Sequence, residues 1–201
     1  MPIQFTEVAL PARDGALPTE VQKFLDEATR RIDAFQVDAK VPGFVASDFA
    51  GAYSLLRGIA EGYLAPGQRF CEWGSGFGVV ACLASIVGFD ACGIEIEPAL
   101  VNEARRLASD FDLPVAFFAG SYLPRGGSAN VDVVETSWFD RRENDDDAMP
   151  DVSDFDVIFA YPWPDEAILA ERLFAARARR GALLATYATG GGFRLRRKTG
   201  R

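Results

Sequence analysis

The 201-residue sequence contains no histidine. That absence removes Ser-His and Cys-His catalysis, histidine general bases and most zinc enzymes together. Chemistry must then run on carboxylates, tyrosine, lysine, backbone groups or a cofactor. Cysteine is scarce: Cys71, Cys82 and Cys92 sit in apolar segments without CxxC spacing. They read as reduced core thiols of a cytoplasmic protein, not as a disulfide or metal framework. No apolar run approaches the roughly 20 residues that span a bilayer, so no membrane span is expected. Residues 1–12 lack a basic region followed by an apolar stretch, so no secretory signal is expected. Basic charge is also short, with 21 Lys and Arg against 29 Asp and Glu. The net charge of −8 argues against broad binding of a nucleic-acid backbone. Residues 193–201 are locally basic, with Arg194, Arg196, Arg197, Lys198 and Arg201, and read as a solvated tail or edge strand.

What is present is a hydrophobic content of 49%, enough for a substantial core. A helical pattern begins near Thr19, where Val21, Phe24, Leu25, Ala28 and Ile32 recur at spacings of three and four. Val41, Pro42 and Gly43 break it. A second helix is predicted from Ser47 or Asp48 to about Gly62, with Phe49, Tyr53, Leu56 and Ile59 on one face. Pro66 and Gly67 then make a turn. From there strands and helices alternate. Strands are predicted over residues 68–72, 90–95, 115–119, 156–160 and 182–187, and helices over 78–87, 98–110 and 165–180. This rhythm implies an α/β fold, a doubly wound and mostly parallel sheet covered on both faces. Such sheets bind ligands at the carboxyl ends of their strands, near the topological switch. Residues 1–64 are expected to form an N-terminal helical segment packed on a 65–201 domain. Residues 123–154 interrupt the rhythm as an insertion, with a short strand at 131–135 and an acidic run at Glu143, Asp145, Asp146 and Asp147. That run reads as a solvated loop, and no metal site is expected.

The segment that carries chemistry is Glu72-Trp73-Gly74-Ser75-Gly76-Phe77-Gly78, which ends a strand and opens a helix. Its glycines let the backbone turn sharply and approach a ligand closely. The helix that follows offers unpaired N–H groups and its positive dipole end. A dinucleotide fingerprint would place its third glycine at position 79, where this chain has Val79. The pattern is instead acid-x-Gly-x-Gly-x-Gly. The next strand ends in Gly93-Ile94-Glu95, 17 residues after Gly78. A carboxylate at that strand tip can accept both hydroxyls of a ribose. Read without a ligand, Glu72 would cap the following helix and Glu95 would be a solvated strand end.

These residues resemble the class I S-adenosylmethionine (SAM)-dependent methyltransferase family, over about residues 65–188. Glu72 to Gly78 is similar to its first motif, Glu95 to its ribose-binding acid, and residues 155–164 stand in its fourth-strand motif. The resemblance implies a Rossmann-like methyltransferase fold and SAM as cofactor. It places Gly74 and Gly76 against the methionine part, Glu72 toward its amino group and Glu95 on the ribose. Trp73, Ser75, Gly78 and Ile96 join them as cofactor-binding residues.

Two places depart from the family. Where it often has an acid for the adenine amino group, this chain has Gly120-Ser121-Tyr122. Ser121 can hydrogen-bond and Tyr122 can pack on the purine, or both are ordinary turn residues. Enzymes of the family that act on exocyclic amines of bases or on glutamine amides carry Asn or Asp, two prolines and an aromatic. Here the segment is Tyr161-Pro162-Trp163-Pro164-Asp165, without the leading amide or carboxylate. Tyr161 and Trp163 would form an aromatic wall, and Tyr161 or Asp165 would orient an incoming amine; alternatively they are core aromatics at a strand exit. The acceptor is left open between a protein side chain such as lysine and a small molecule. A lid is expected at Gly43-Phe44-Val45-Ala46-Ser47. After the strand at 182–187 only one further strand fits, where the family adds an antiparallel hairpin. Either the sheet is shortened at that edge, or a partner or second copy covers it. The rival readings are a non-catalytic module on the same fold and, disfavoured by Val79, a nucleotide-binding oxidoreductase.

Overall fold

The computed structural model describes residues 5–10, 15–38, 47–122, 150–162, 166–187 and 191–200. Most of the insertion, with its expected strand and acidic run, lies outside the described residues. So do most of the lid segment and Trp163, Pro164 and Asp165.

Seven strands form one sheet: β1 (Phe5–Glu7), β2 (Arg69–Trp73), β3 (Asp90–Glu95), β4 (Ala116–Ala119), β5 (Val157–Ala160), β6 (Leu183–Tyr187) and β7 (Phe193–Lys198). Their spatial order is β1-β7-β6-β5-β2-β3-β4. The contacts among β2 to β6 are parallel, whereas β7 runs antiparallel to both β6 and β1. The chain moves outward from β2 through β3 to β4, then returns to place β5 on the other side of β2. The switch point is therefore the crevice between β2 and β5, where a doubly wound sheet holds its ligand.

The helices are α1 (Thr19–Asp38), α2 (Phe49–Glu61), α3 (Val79–Ile86), α4 (Pro98–Asp110) and α5 (Ala167–Arg177). On α1 the three-four spacing puts Val21, Phe24, Leu25, Ala28 and Ile32 in one core with Leu56 and Ile59 of α2, Val80 of α3 and Leu107 of α4. Phe70 and Phe159 meet them from the sheet. The opposite face carries Cys71, Trp73, Ile94, Ile158 and Leu184 against Leu173 and Phe174 of α5. All three thiols are free and buried.

One expectation needs correcting at the sheet edge. The place expected to be empty, or covered by a partner, is taken by this chain's own β1. Three residues make a weak ladder, and side chains reinforce it. Phe5 packs on Phe174 at 5.8 Å between ring centroids, and the Arg196 guanidinium lies 5.0 Å from the Phe5 centroid. Arg196 also pairs with Glu171 at 2.7 Å, and Arg194 with Glu7. Residues 193–198 are thus no solvated tail. They form an inner strand whose cations are matched locally: Arg197 donates to the Leu64 carbonyl and Lys198 to that of Ala178.

Candidate active site at the switch point

The glycine loop is stitched to the neighbouring strand by its own backbone. Gly74 N and Ser75 N both donate to the Ile94 carbonyl, at 2.9 and 3.0 Å, and Gly78 N closes the turn on Ser75 O at 2.7 Å. Gly78 has φ of +68° and serves as the N-cap of α3, where it has no side chain to offer the first helical amides. Glu72 supplies that cap instead. Its Oε2 accepts from Ala81 N at 2.8 Å, in the first turn of α3. The carboxyl is buried, and that burial pushes its pKa well above the ordinary value, with Glu95 adding to the rise and the Ala81 bond opposing it. The alternative of Glu72 as a helix cap is therefore realised, with one of its two oxygens so occupied.

Glu95 ends β3 and is 8% exposed. Its Oε2 accepts from Gly76 N at 2.8 Å and its Oε1 from Glu97 N at 2.9 Å. Two backbone amides fix the carboxylate beside the loop, and each oxygen keeps a second lone pair for a ligand. Ser75 is 5% exposed, and its Oγ has no hydrogen-bond partner among the described residues. A buried hydroxyl without a partner carries a desolvation penalty, which a polar ligand group would relieve. Ile96, next to Glu95, is an apolar side chain left 54% exposed.

No family profile matches the sequence, and no curated relative does. Solved structures do match. A methyltransferase from Geobacter sulfurreducens gives a TM-score of 0.53 at 16% identity, over 90% of this chain and 98% of that one. An RNA methyltransferase from Salinibacter ruber, in complex with S-adenosyl-L-homocysteine, gives 0.52 at 18%, over 79% of this chain and 95% of that one. The fold is the class I methyltransferase fold.

Within the methyltransferase fold, the expected cofactor residues fall into two sets. Gly74, Ser75, Gly76, Gly78, Glu95 and Ile96 come together at the C-terminal ends of β2 and β3. Trp73 and Tyr122 do so differently. Trp73 is 2% exposed, with its ring turned into the α5 side of the core. Tyr122 stacks on it at 5.1 Å and 13°, and a Cβ at Gly74 would lie 3.7 Å from the Tyr122 ring. Burial raises the Tyr122 phenol, as do the carboxylates of Glu166 and Glu95. Ser121 lies beside Tyr122, partly buried.

On the β5 side of the switch point, Tyr161 follows β5 and stacks on Tyr187, the last residue of β6, at 4.8 Å and 28°. Phe193, which opens β7, meets Tyr187 edge-on at 5.3 Å. The expected partner of Tyr161 in an aromatic wall was Trp163, which lies outside the described residues. The sequence reading missed Tyr187, although its place at the end of the strand beside β5 was available as a signal. Asp165 lies outside the described residues; Glu166 next to it is near the Tyr122 phenol. Among the described residues no group of three or more Cys, Asp or Glu is placed to hold a metal ion. Among the same residues, no helix is long and apolar enough to cross a membrane.

Proposed function

We propose that this chain is a SAM-dependent methyltransferase acting in the cytoplasm on a protein side chain or a small molecule. The observation that carries this reading is Glu95, fixed by two backbone amides beside a glycine loop at the switch point. A ribose needs two adjacent acceptors, and this carboxylate offers them already oriented. Ser75 Oγ and the backbone of Gly74 and Gly76 would hold the methionine part, and Ile96 would meet the base. The bound cofactor supplies a methyl group activated on a sulfonium, so the protein needs no histidine and no metal. What remains for the chain is to exclude water and to hold the acceptor nucleophile in line at near-attack distance.

A long polyanionic acceptor is disfavoured by the net charge of −8 and by the internal pairing of the cations of β7. The second reading, a non-catalytic module, draws on Glu72, whose Oε2 caps α3, and on Tyr122 packed against Gly74. Calorimetry with SAM, S-adenosyl-L-homocysteine and NAD separates the readings. Binding of the first two alone is expected. No binding at all would leave the module, and NAD binding would overturn the methyltransferase reading.

A further inference from the structure

We infer that the Tyr122 ring, held on Trp73 beside Gly74, meets the sulfonium of the cofactor and not its purine. Resting on the methyltransferase reading, this contact would tell the methyl donor from its demethylated product.

β4 is the outer strand of the sheet, and β3 lies between it and β2. A residue that follows β4 would meet a purine by staying over that outer edge. Tyr122 instead reaches inward past the end of β3. Its ring stacks on Trp73, the last residue of β2, at 5.1 Å and 13°. Trp73 is flanked by Ile94 of β3 and Ala160 of β5, so the stack stands at the switch point. Trp73 is buried and fixes one side of the stack, whereas Tyr122 is half-buried.

The glycines around the loop differ in what they leave open. A Cβ at Gly78 would lie 2.3 Å from Phe117 Cε1, and one at Gly93 2.7 Å from Ser75 Oγ, so protein fills those places. A Cβ at Gly74 would meet Tyr122 Cε1 at 3.7 Å, and no other described atom within 4 Å. The ring therefore walls the space over Gly74 without filling it. Glu95 is held at the next glycine of the loop through Gly76 N. With a ribose on Glu95, the sulfonium is one methylene from the sugar ring. Ile96, next along the chain, offers the base an exposed apolar surface. Gly74 and Tyr122 are then left to the sulfonium and the methionine part.

A sulfonium carries positive charge but no N–H or O–H donor, and an aromatic face attracts it through the ring quadrupole. One face of Tyr122 lies on Trp73, so a ligand over Gly74 would meet the other. The demethylated product is a neutral thioether of nearly the same shape. Tyr122 would thus favour the donor and give the product no comparable gain, which eases its release.

Calorimetry on the full chain with SAM, S-adenosyl-L-homocysteine and adenosine tests this. Tyr122→Leu is expected to weaken SAM by about three- to tenfold more than S-adenosyl-L-homocysteine. Adenosine should stay within about twofold of wild type. Tyr122→Phe keeps the ring face and should keep the SAM preference. Trifluorophenylalanine at position 122 keeps the ring's shape but drains its face of negative charge, so it should lower SAM affinity alone even where the leucine variant does not fold. A ratio of SAM to S-adenosyl-L-homocysteine affinity that neither leucine nor fluorination changes would overturn the sulfonium contact. Equal loss of all three ligands would do so too, by placing the ring on the purine. Both results leave the cofactor reading standing. Failure of SAM and S-adenosyl-L-homocysteine to bind the wild-type chain would overturn both.

Discussion

At the scale of single residues, the site depends on one glycine for space and one carboxyl for a cap. A Cβ at Gly78 would lie 2.3 Å from Phe117 Cε1 and 3.0 Å from Ala104 Cβ, at a φ of +68°. Left-handed strain and overpacking act together there, so Gly78→Ala is expected to destabilise the fold by about 2–5 kcal/mol in urea unfolding. Glu72 makes a prediction of opposite character. Its raised carboxyl pKa means that the folded state binds the proton more tightly than the unfolded one. Stability contributed by this group is present below the ordinary value of 4.5 and is lost as pH rises toward the raised one. Glu72→Gln does not titrate and can keep the Ala81 bond. The melting temperature of the variant relative to wild type should therefore climb with pH above that value; a difference that stays flat with pH would contradict it. The glycines and Glu95 were legible in the sequence because their spacing is a local property of one strand-loop-helix-strand unit. The cap made by Glu72 was open to two readings, since only the folded turn shows which way its oxygen points. Tyr161 and Tyr187 were not legible as a stacked pair. They are far apart in sequence, and the sheet order that joins them is a tertiary fact.

At the scale of elements, β1 is where sequence and structure part. β3 and α4 have the bounds that residues 90–95 and 98–110 predict, because Pro98 fixes the first helical turn and the uncharged run of β3 ends at Glu95. β1 has three residues and two of them are exposed, so it carries no periodic signal. Its pairing partner lies at the far end of the chain, Phe5 facing Lys198. What holds it is the Phe5 ring between Phe174 and Arg196. Surface ion pairs such as Arg194 with Glu7 contribute at most about 1 kcal/mol. Phe5→Ala is accordingly expected to cost about 1–2 kcal/mol, lowering the urea midpoint at unchanged slope. Amide exchange should speed up at Val8, whose N–H donates to Leu195 O at 2.8 Å. Protection at Val8 equal to wild type would show that backbone pairing alone secures the strand.

At the scale of the whole molecule, ligand binding and stability are linked. SAM at a hundred times its dissociation constant should add about 2.7 kcal/mol to unfolding free energy. Glu95→Gln removes a charged acceptor and should weaken binding by about tenfold or more. At the same SAM concentration its stabilisation should then fall to about 1.4 kcal/mol or less, read from thermal melts with and without SAM. Equal stabilisation of both proteins would remove Glu95 from the site. The seventh strand has a consequence at this scale too. Because β1 lies against β7 with Phe5 opposite Lys198, the two ends of the described chain are neighbours in space. A short peptide joining residue 201 to residue 1 would make β7 and β1 one continuous hairpin, and new ends could be opened at the Phe111–Asp112 turn after α4. Such a circular permutant would keep every strand in its place in the sheet while changing the order in which the chain visits them.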